Sequence, residues 1–128
     1  MTAIPDAAHT LNVLVVEDER IISLALTSML RGLGHTVAGC VPSGEEALEI
    51  AARLKLDLIF LDIHLEGALD GIATAQTLRE RHGPPVVFTS AYTDAATRER
   101  ALAQAPLAFL AKPVSPQDIR KLVAALAG

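Results

Sequence analysis

"LIFLDIHLEG", residues 58–67, decides how this chain is read. Four apolar residues, Leu58 to Leu61, with Leu56 just upstream, run directly into Asp62. An unbroken apolar run of this length fits a strand buried on both faces, rather than one with a wet side. A carboxylate at the end of such a strand is costly unless something pairs with it. Asp62 therefore either caps the next turn or is chemistry held at a strand mouth.

The same pattern recurs on both sides. "LNVLVVED" (11–18), "HTVAGCV" (35–41), "LDLIFLD" (56–62), "PVVFTS" (85–90) and "LAFLAK" (107–112) read as strands. Between and after them the period changes to that of a helix. In "ERIISLALTSMLRGLG" (19–34) the apolar stripe is Ile22, Leu26, Met29 and Leu33, with Gly32 and Gly34 marking the end. "PSGEEALEIAARLK" (42–55) opens with Ser43 and Glu46 in the spacing of a capping box. "GIATAQTLRERH" (71–82) stops at Gly-Pro-Pro, and "TDAATRERALAQA" (93–105) opens on Thr93 or Asp94. "SPQDIRKLVAALAG" (115–128) has Ser115 as cap and Pro116 as first helical residue. Five strand–helix units in alternation predict an α/β fold, with helices on both faces of a parallel sheet.

The chain has 128 residues, the size of one domain. It is 51% apolar but only 3% aromatic, so the core is one of Val, Leu, Ile and Ala. The net charge of −4 includes no basic patch, which argues against direct nucleic-acid binding. One cysteine, Cys40, allows no internal disulfide, and the four histidines have no metal-ligand spacing. No segment approaches the roughly 20 apolar residues of a membrane helix, and "MTAIPDAAHT" lacks the pattern of a signal peptide. The expectation is a soluble cytoplasmic domain over 11–128 behind a flexible arm, 1–10.

The strand ends carry the chemistry. The first ends on Glu17 and Asp18, the third on Asp62, the fourth on Thr89 and Ser90, the fifth on Lys112; the second ends without an ionisable group. Ligands of open α/β sheets bind at the carboxyl ends of the strands. Two carboxylates about 4 Å apart repel by roughly 4 kcal/mol at an effective dielectric near 20. Three at one rim need more than a single lysine. Hard oxygen ligands suit Mg2+, which keeps waters and takes a phosphate oxygen. One carboxylate can then act as nucleophile toward phosphorus, with lysine, metal and hydroxyl stabilising the transferring group.

With "VVED", "IFLDIHL", "FTSAY" and "FLAKP" each at a strand end and in that order, the sequence resembles a response-regulator receiver domain, of the CheY-like family of two-component signalling in bacteria. The resemblance spans residues 11 to 127. It implies a flavodoxin-like doubly wound sheet of five strands in the order 2-1-3-4-5 with five helices. It implies that Asp62 accepts a phosphoryl group from a sensor histidine kinase or histidine phosphotransfer protein. Asp18 and Glu17 would bind Mg2+ with Asp62 and the backbone carbonyl of His64. Ser90, Lys112 and Phe109 would stabilise the phosphoryl group and switch, and Lys112-Pro113 would be a cis peptide. His64 and Tyr92, two residues past the acceptor and the hydroxyl, would tune water access and slow hydrolysis. The output would be a change in the α4-β5-α5 surface (the helix over 93–105, the strand over 107–112 and the helix over 115–128), read by a downstream protein or by a second copy in a phosphorylation-dependent homodimer. The resemblance implies no enzyme beyond this self-directed chemistry.

Three departures stand out. The first acidic pair is Glu-Asp, the switch aromatic Phe109 has no hydroxyl, and "HLEGALDG" (64–71) is one residue longer than usual without its proline. Two other functions stay open from the residues: an aspartyl-phosphate phosphatase or phosphotransferase on small substrates, and a binding module that keeps only the fold. A capping role for Asp62 and a solvated Lys112 are the plain readings of each residue alone.

Overall fold

The computed structural model describes residues 10–91 and 93–127. The arm expected over 1–10 falls outside them save for Thr10, and so does Tyr92. Ten elements alternate without exception: β1 (Asn12–Val16), α1 (Arg20–Gly32), β2 (Thr36–Val41), α2 (Gly44–Arg53), β3 (Leu58–Asp62), α3 (Gly71–Glu80), β4 (Val86–Ser90), α4 (Ala95–Leu102), β5 (Ala108–Ala111) and α5 (Pro116–Ala127). The strands form one parallel sheet in the order β2-β1-β3-β4-β5.

Side chains alternate across this sheet, so one strand feeds two cores. Val13, Val15, Leu58, Phe60 and Val87 meet Leu26 and Leu30 of α1 and Ile119 and Val123 of α5 on one face. Leu14, Val16, Ile59, Leu61 and Phe88 meet Ala47 of α2, Ile72, Ala75 and Leu78 of α3, and Ala101 of α4 on the other. All five residues of β3 and of β4 are buried. Covering both faces is what makes these strands read as continuous apolar runs.

Four of the five helices start on a capping side chain; α1, with Glu19 at its N-cap, has no side-chain cap bond. Ser43 accepts a hydrogen bond from the Glu46 N–H at 3.2 Å, and its hydroxyl lies 2.9 Å from the Glu46 carboxylate. The box thus closes on the serine side chain. Asp70 caps α3 by accepting from the Ala73 N–H, and Ser115 caps α5 by accepting from the Asp118 N–H. Of the two candidates for α4, Asp94 is the cap, 2.7 Å from the Thr97 N–H.

The buried stripe of α1 differs from the apolar one. Ser23, Leu26, Thr27 and Leu30 are buried, while Ile22, Met29 and Leu33 are only half-buried. The two polar members are satisfied on the spot. The Ser23 hydroxyl bonds the Arg20 carbonyl, and Thr27 Oγ1 lies 2.8 Å from Cys40 Sγ on β2. Small polar residues let the helix sit close to the sheet, and this displaces the larger apolar groups to its flank.

The connection from β1 runs to β2 on one side and the chain then crosses to β3 on the other. The strand order reverses between β1 and β3, and the crevice at their carboxyl ends is where this architecture binds ligands.

Candidate functional site

That crevice holds Glu17, just past β1, and Asp62, the last residue of β3. Lys112 follows β5 and precedes a cis Lys112-Pro113 bond. Its ammonium Nζ lies 2.6 Å from Glu17 Oε1 and 3.1 Å from Asp62 Oδ2. The three side chains are 9%, 3% and 4% exposed, so this bridge is screened from water rather than a surface ion pair. The remaining oxygens have backbone partners. Glu17 Oε2 accepts from the Glu19 N–H at 3.0 Å, and Asp62 Oδ1 accepts from the His64 N–H at 3.1 Å.

Asp18 is the most open of the acids. One oxygen from each of Glu17, Asp18 and Asp62 can be chosen so that all lie within 4.8 Å of one another. Three carboxylates against one ammonium leave an excess of two negative charges. Each carboxylate oxygen has two lone pairs, so the bonds above leave capacity free. Hard oxygen donors, open coordination and excess negative charge fit Mg2+.

Charge and burial set the protonation. Burial raises the pKa of Glu17 and the negative charge of Asp62 adds to this, against the lowering effect of the Lys112 and Glu19 hydrogen bonds. Burial alone would lower Lys112, but its hydrogen bonds to Glu17 and Asp62, and their charges, carry it above its ordinary value. Lys112 is a fixed cation.

Asp62 is also held from behind. A Cβ at position 71 would lie 2.1 Å from the Asp62 carbonyl oxygen and 2.7 Å from Ile63 Cα, so only glycine fits there. The Gly71 N–H bonds the Ile63 carbonyl at 3.0 Å. The long loop between them is anchored by buried Leu65 and turns at Gly67, whose φ is +103°. The loop is therefore held between two fixed points, and α3 begins tight against the end of β3. The His64 side chain is exposed at the rim.

Ser90 ends β4 and is 3% exposed, its hydroxyl bonded to that of Thr93. Phe109 lies on β5, half-buried, with its ring 6.5 Å from that of Phe88 and tilted by 57°. The Arg98 guanidinium covers it, 4.5 Å from the ring centre. The sequence marked Thr93 only as a possible cap. Local pattern gives no sign that α4 turns Thr93 and Arg98 toward the site. Beside Lys112, a cavity of about 440 Å³ runs along α1, lined by Ile21, Ile22, Met29, Pro113 and Val114; Ile21 is 84% exposed.

Residues 13–124 match the family model described as the response regulator receiver domain. The transcriptional regulatory protein PdtaR of Mycobacterium tuberculosis is 35% identical over 114 residues, covering 89% of this chain and 55% of that protein. The phyllosphere-induced regulator PhyR of Methylorubrum extorquens is 33% identical over 113 residues, covering 87% and 41%. The chain thus spans about half the length of these relatives. The signal receiver domain of a modulated diguanylate cyclase from Desulfovibrio desulfuricans superposes with a TM-score of 0.86 at 36% identity, over 92% of this chain and 94% of that one. The receiver domain of a sensor histidine kinase from Pseudomonas aeruginosa, which has magnesium in its active-site cleft, gives 0.83 at 27% identity, over 93% and 98%.

This chain belongs to the response-regulator receiver family of two-component signalling. Its doubly wound sheet in the order 2-1-3-4-5 is that family's fold.

Proposed function

We propose that this receiver accepts a phosphoryl group on Asp62 from a sensor histidine kinase or histidine phosphotransfer protein. The observation that carries the reading is the buried bridge from Lys112 to Glu17 and Asp62, beside Asp18, at the crevice where strand order reverses. An Asp62 carboxylate oxygen attacks phosphorus. The O–P bond forms as the donor's N–P bond breaks, and the electron pair leaves with the imidazole nitrogen, which takes a proton. Lys112 contacts an oxygen of the transferring group and offsets its charge. The His64 N–H holds the carboxylate during attack, and Gly71 lets α3 start close against the Asp62 backbone. Glu17, Asp18, Asp62 and the His64 carbonyl would hold Mg2+, which supplies charge neutralisation to the phosphoryl oxygens.

Ser90 and Phe109 then rearrange and alter the α4-β5-α5 surface, which binds a downstream protein or a second copy of the chain. Such a population shift needs only a few kcal/mol of differential contact. The apolar cavity along α1 opens beside Lys112, and this suits a donor that docks as a protein helix. The exposed ring of His64 slows hydrolysis by narrowing the approach of water, with Tyr92 as its partner outside the described residues. The site phosphorylates only its own carboxylate, and hydrolysis of that acyl phosphate returns it to rest, in a cytoplasmic domain without direct nucleic-acid or membrane contact. No described helix is long and apolar enough to cross a membrane.

The test is incubation with acetyl phosphate and Mg2+, with Asp62→Asn as control, followed by intact-mass measurement. One phosphoryl group per chain, lost in the variant, supports the switch. Many turnovers of a free substrate would replace it with an enzyme, and no labelling would leave a binding module.

A further inference from the structure

Among the described residues of α4, only Ala101 is fully buried, so the helix has a thin apolar anchor. At its end Arg79 of α3 donates to the Ala103 carbonyl at 3.1 Å, and at its start the hold is on the switch residues. Thr93, next to the capping Asp94, shares a hydrogen bond with Ser90 on β4. That bond lies against a side of the protein where Ser90 is 3% exposed, so water competes poorly for it. Five residues on, Arg98 lies over the ring of Phe109 on β5 at 4.5 Å. Phe109 thereby meets both the Phe88 ring and the Arg98 guanidinium.

We propose that the entry to α4, residues 93–98, is a clasp on both switch side chains, with Thr93 holding the Ser90 hydroxyl and Arg98 covering Phe109. This rests on the reading that Ser90 and Phe109 rearrange on phosphorylation. A Ser90 hydroxyl turned toward a phosphoryl group leaves Thr93. A Phe109 ring that sinks toward the sheet leaves Arg98. Both departures free one short segment, 93–98, so each makes the other easier. The coupling runs both ways: loosening Thr93 weakens the stack on Phe109, and losing the stack loosens Ser90. Thr93 and Arg98 are positioning residues that favour the unphosphorylated arrangement. An exposed cation–π contact of this kind corresponds to about a two- to fivefold change in an equilibrium constant.

Two measurements on the full chain decide it. The first uses no phosphoryl analogue: the ring signals of Phe109 are followed by NMR with labelled phenylalanine. Thr93→Val is expected to move them in the same direction as Arg98→Met, although the Thr93 hydroxyl bonds Ser90 and not the ring. Thr93→Ser restores the wild-type signals. Phe109 signals unchanged in Thr93→Val would overturn the clasp. The second is titration with beryllofluoride and Mg2+. Each variant is expected to bind about two- to fivefold tighter, and the double variant by less than the product of the two. Fully multiplicative effects would also overturn it, because independent contacts are not a clasp. If the wild type takes no beryllofluoride, the phosphoacceptor reading fails, and the NMR comparison still decides the clasp by itself.

Discussion

Replacing Lys112 with methionine removes the only described cation that bridges the buried acids while keeping most of its stem. At separations of 2.6 and 3.1 Å the gross attractions are roughly 6 and 5 kcal/mol at an effective dielectric near 20. Much of that offsets the cost of taking three charges out of water. The net loss on breaking such a pair from one side is about 3–5 kcal/mol, because the partner charges stay buried. For a domain of this size that is a fall in Tm of roughly 10–20 °C. The same variant changes the response to metal. With the ammonium gone, Glu17, Asp18 and Asp62 face one another with no counter-charge, so Mg2+ binds tighter than in the wild type. At a hundredfold excess over Kd the cation returns about 2.7 kcal/mol. The assay is urea unfolding in chelator and across a Mg2+ series. A Lys112→Met midpoint equal to wild type without metal, or equal stabilisation of the two proteins by Mg2+, would refute the role of Lys112 as counter-ion.

Three further outcomes are expected. Gly71→Ala destabilises by about 1–3 kcal/mol, since its Cβ must push the Asp62 backbone, although alanine favours a helix by about 1 kcal/mol; Gly32→Ala, with nothing within 4 Å of its Cβ, does not destabilise, and urea midpoints compare the two. His35 accepts from the Leu11 N–H through Nδ1 at 3.1 Å and is lowered by burial, so its stabilisation is present above 6.5 and lost as pH falls through the folded value. Stability measured on both sides of that pH falls less on the acid side in His35→Gln. In the phosphorylated protein, His64→Asn shortens the lifetime of the acyl phosphate; an unchanged decay rate discards the access role.

The fold was legible because the strands are runs of apolar residues closed by polar or turn residues, and most helix starts carry a capping side chain. Asp62 stood out for the same reason: a charge at the end of "LIFL" contradicts the run before it. The buried face of α1 was not legible. Ser23 and Thr27 are polar by type, and only their local partners make burial acceptable. Within the site, the meeting of Glu17, Asp62 and Lys112 follows from strand order, which the alternation of strands and helices alone leaves open. The finer pairing does not follow from it. Lys112 lies closer to Glu17 than to Asp62, and no spacing in the sequence expresses that. Thr93 and Arg98 were missed because their partners, Ser90 and Phe109, lie across a turn and on another strand, and a helical pattern reports only neighbours on its own face.

Asp62 as the carrier of the phosphoryl group is open to direct measurement. The direct measurement is to phosphorylate the chain with acetyl phosphate and Mg2+, trap the acyl phosphate by borohydride reduction, and locate the reduced residue by peptide mass spectrometry. A single reduced residue is expected, at position 62, and none when Mg2+ is chelated. Reduction at Glu17 or Asp18 instead, or at no residue, would contradict it.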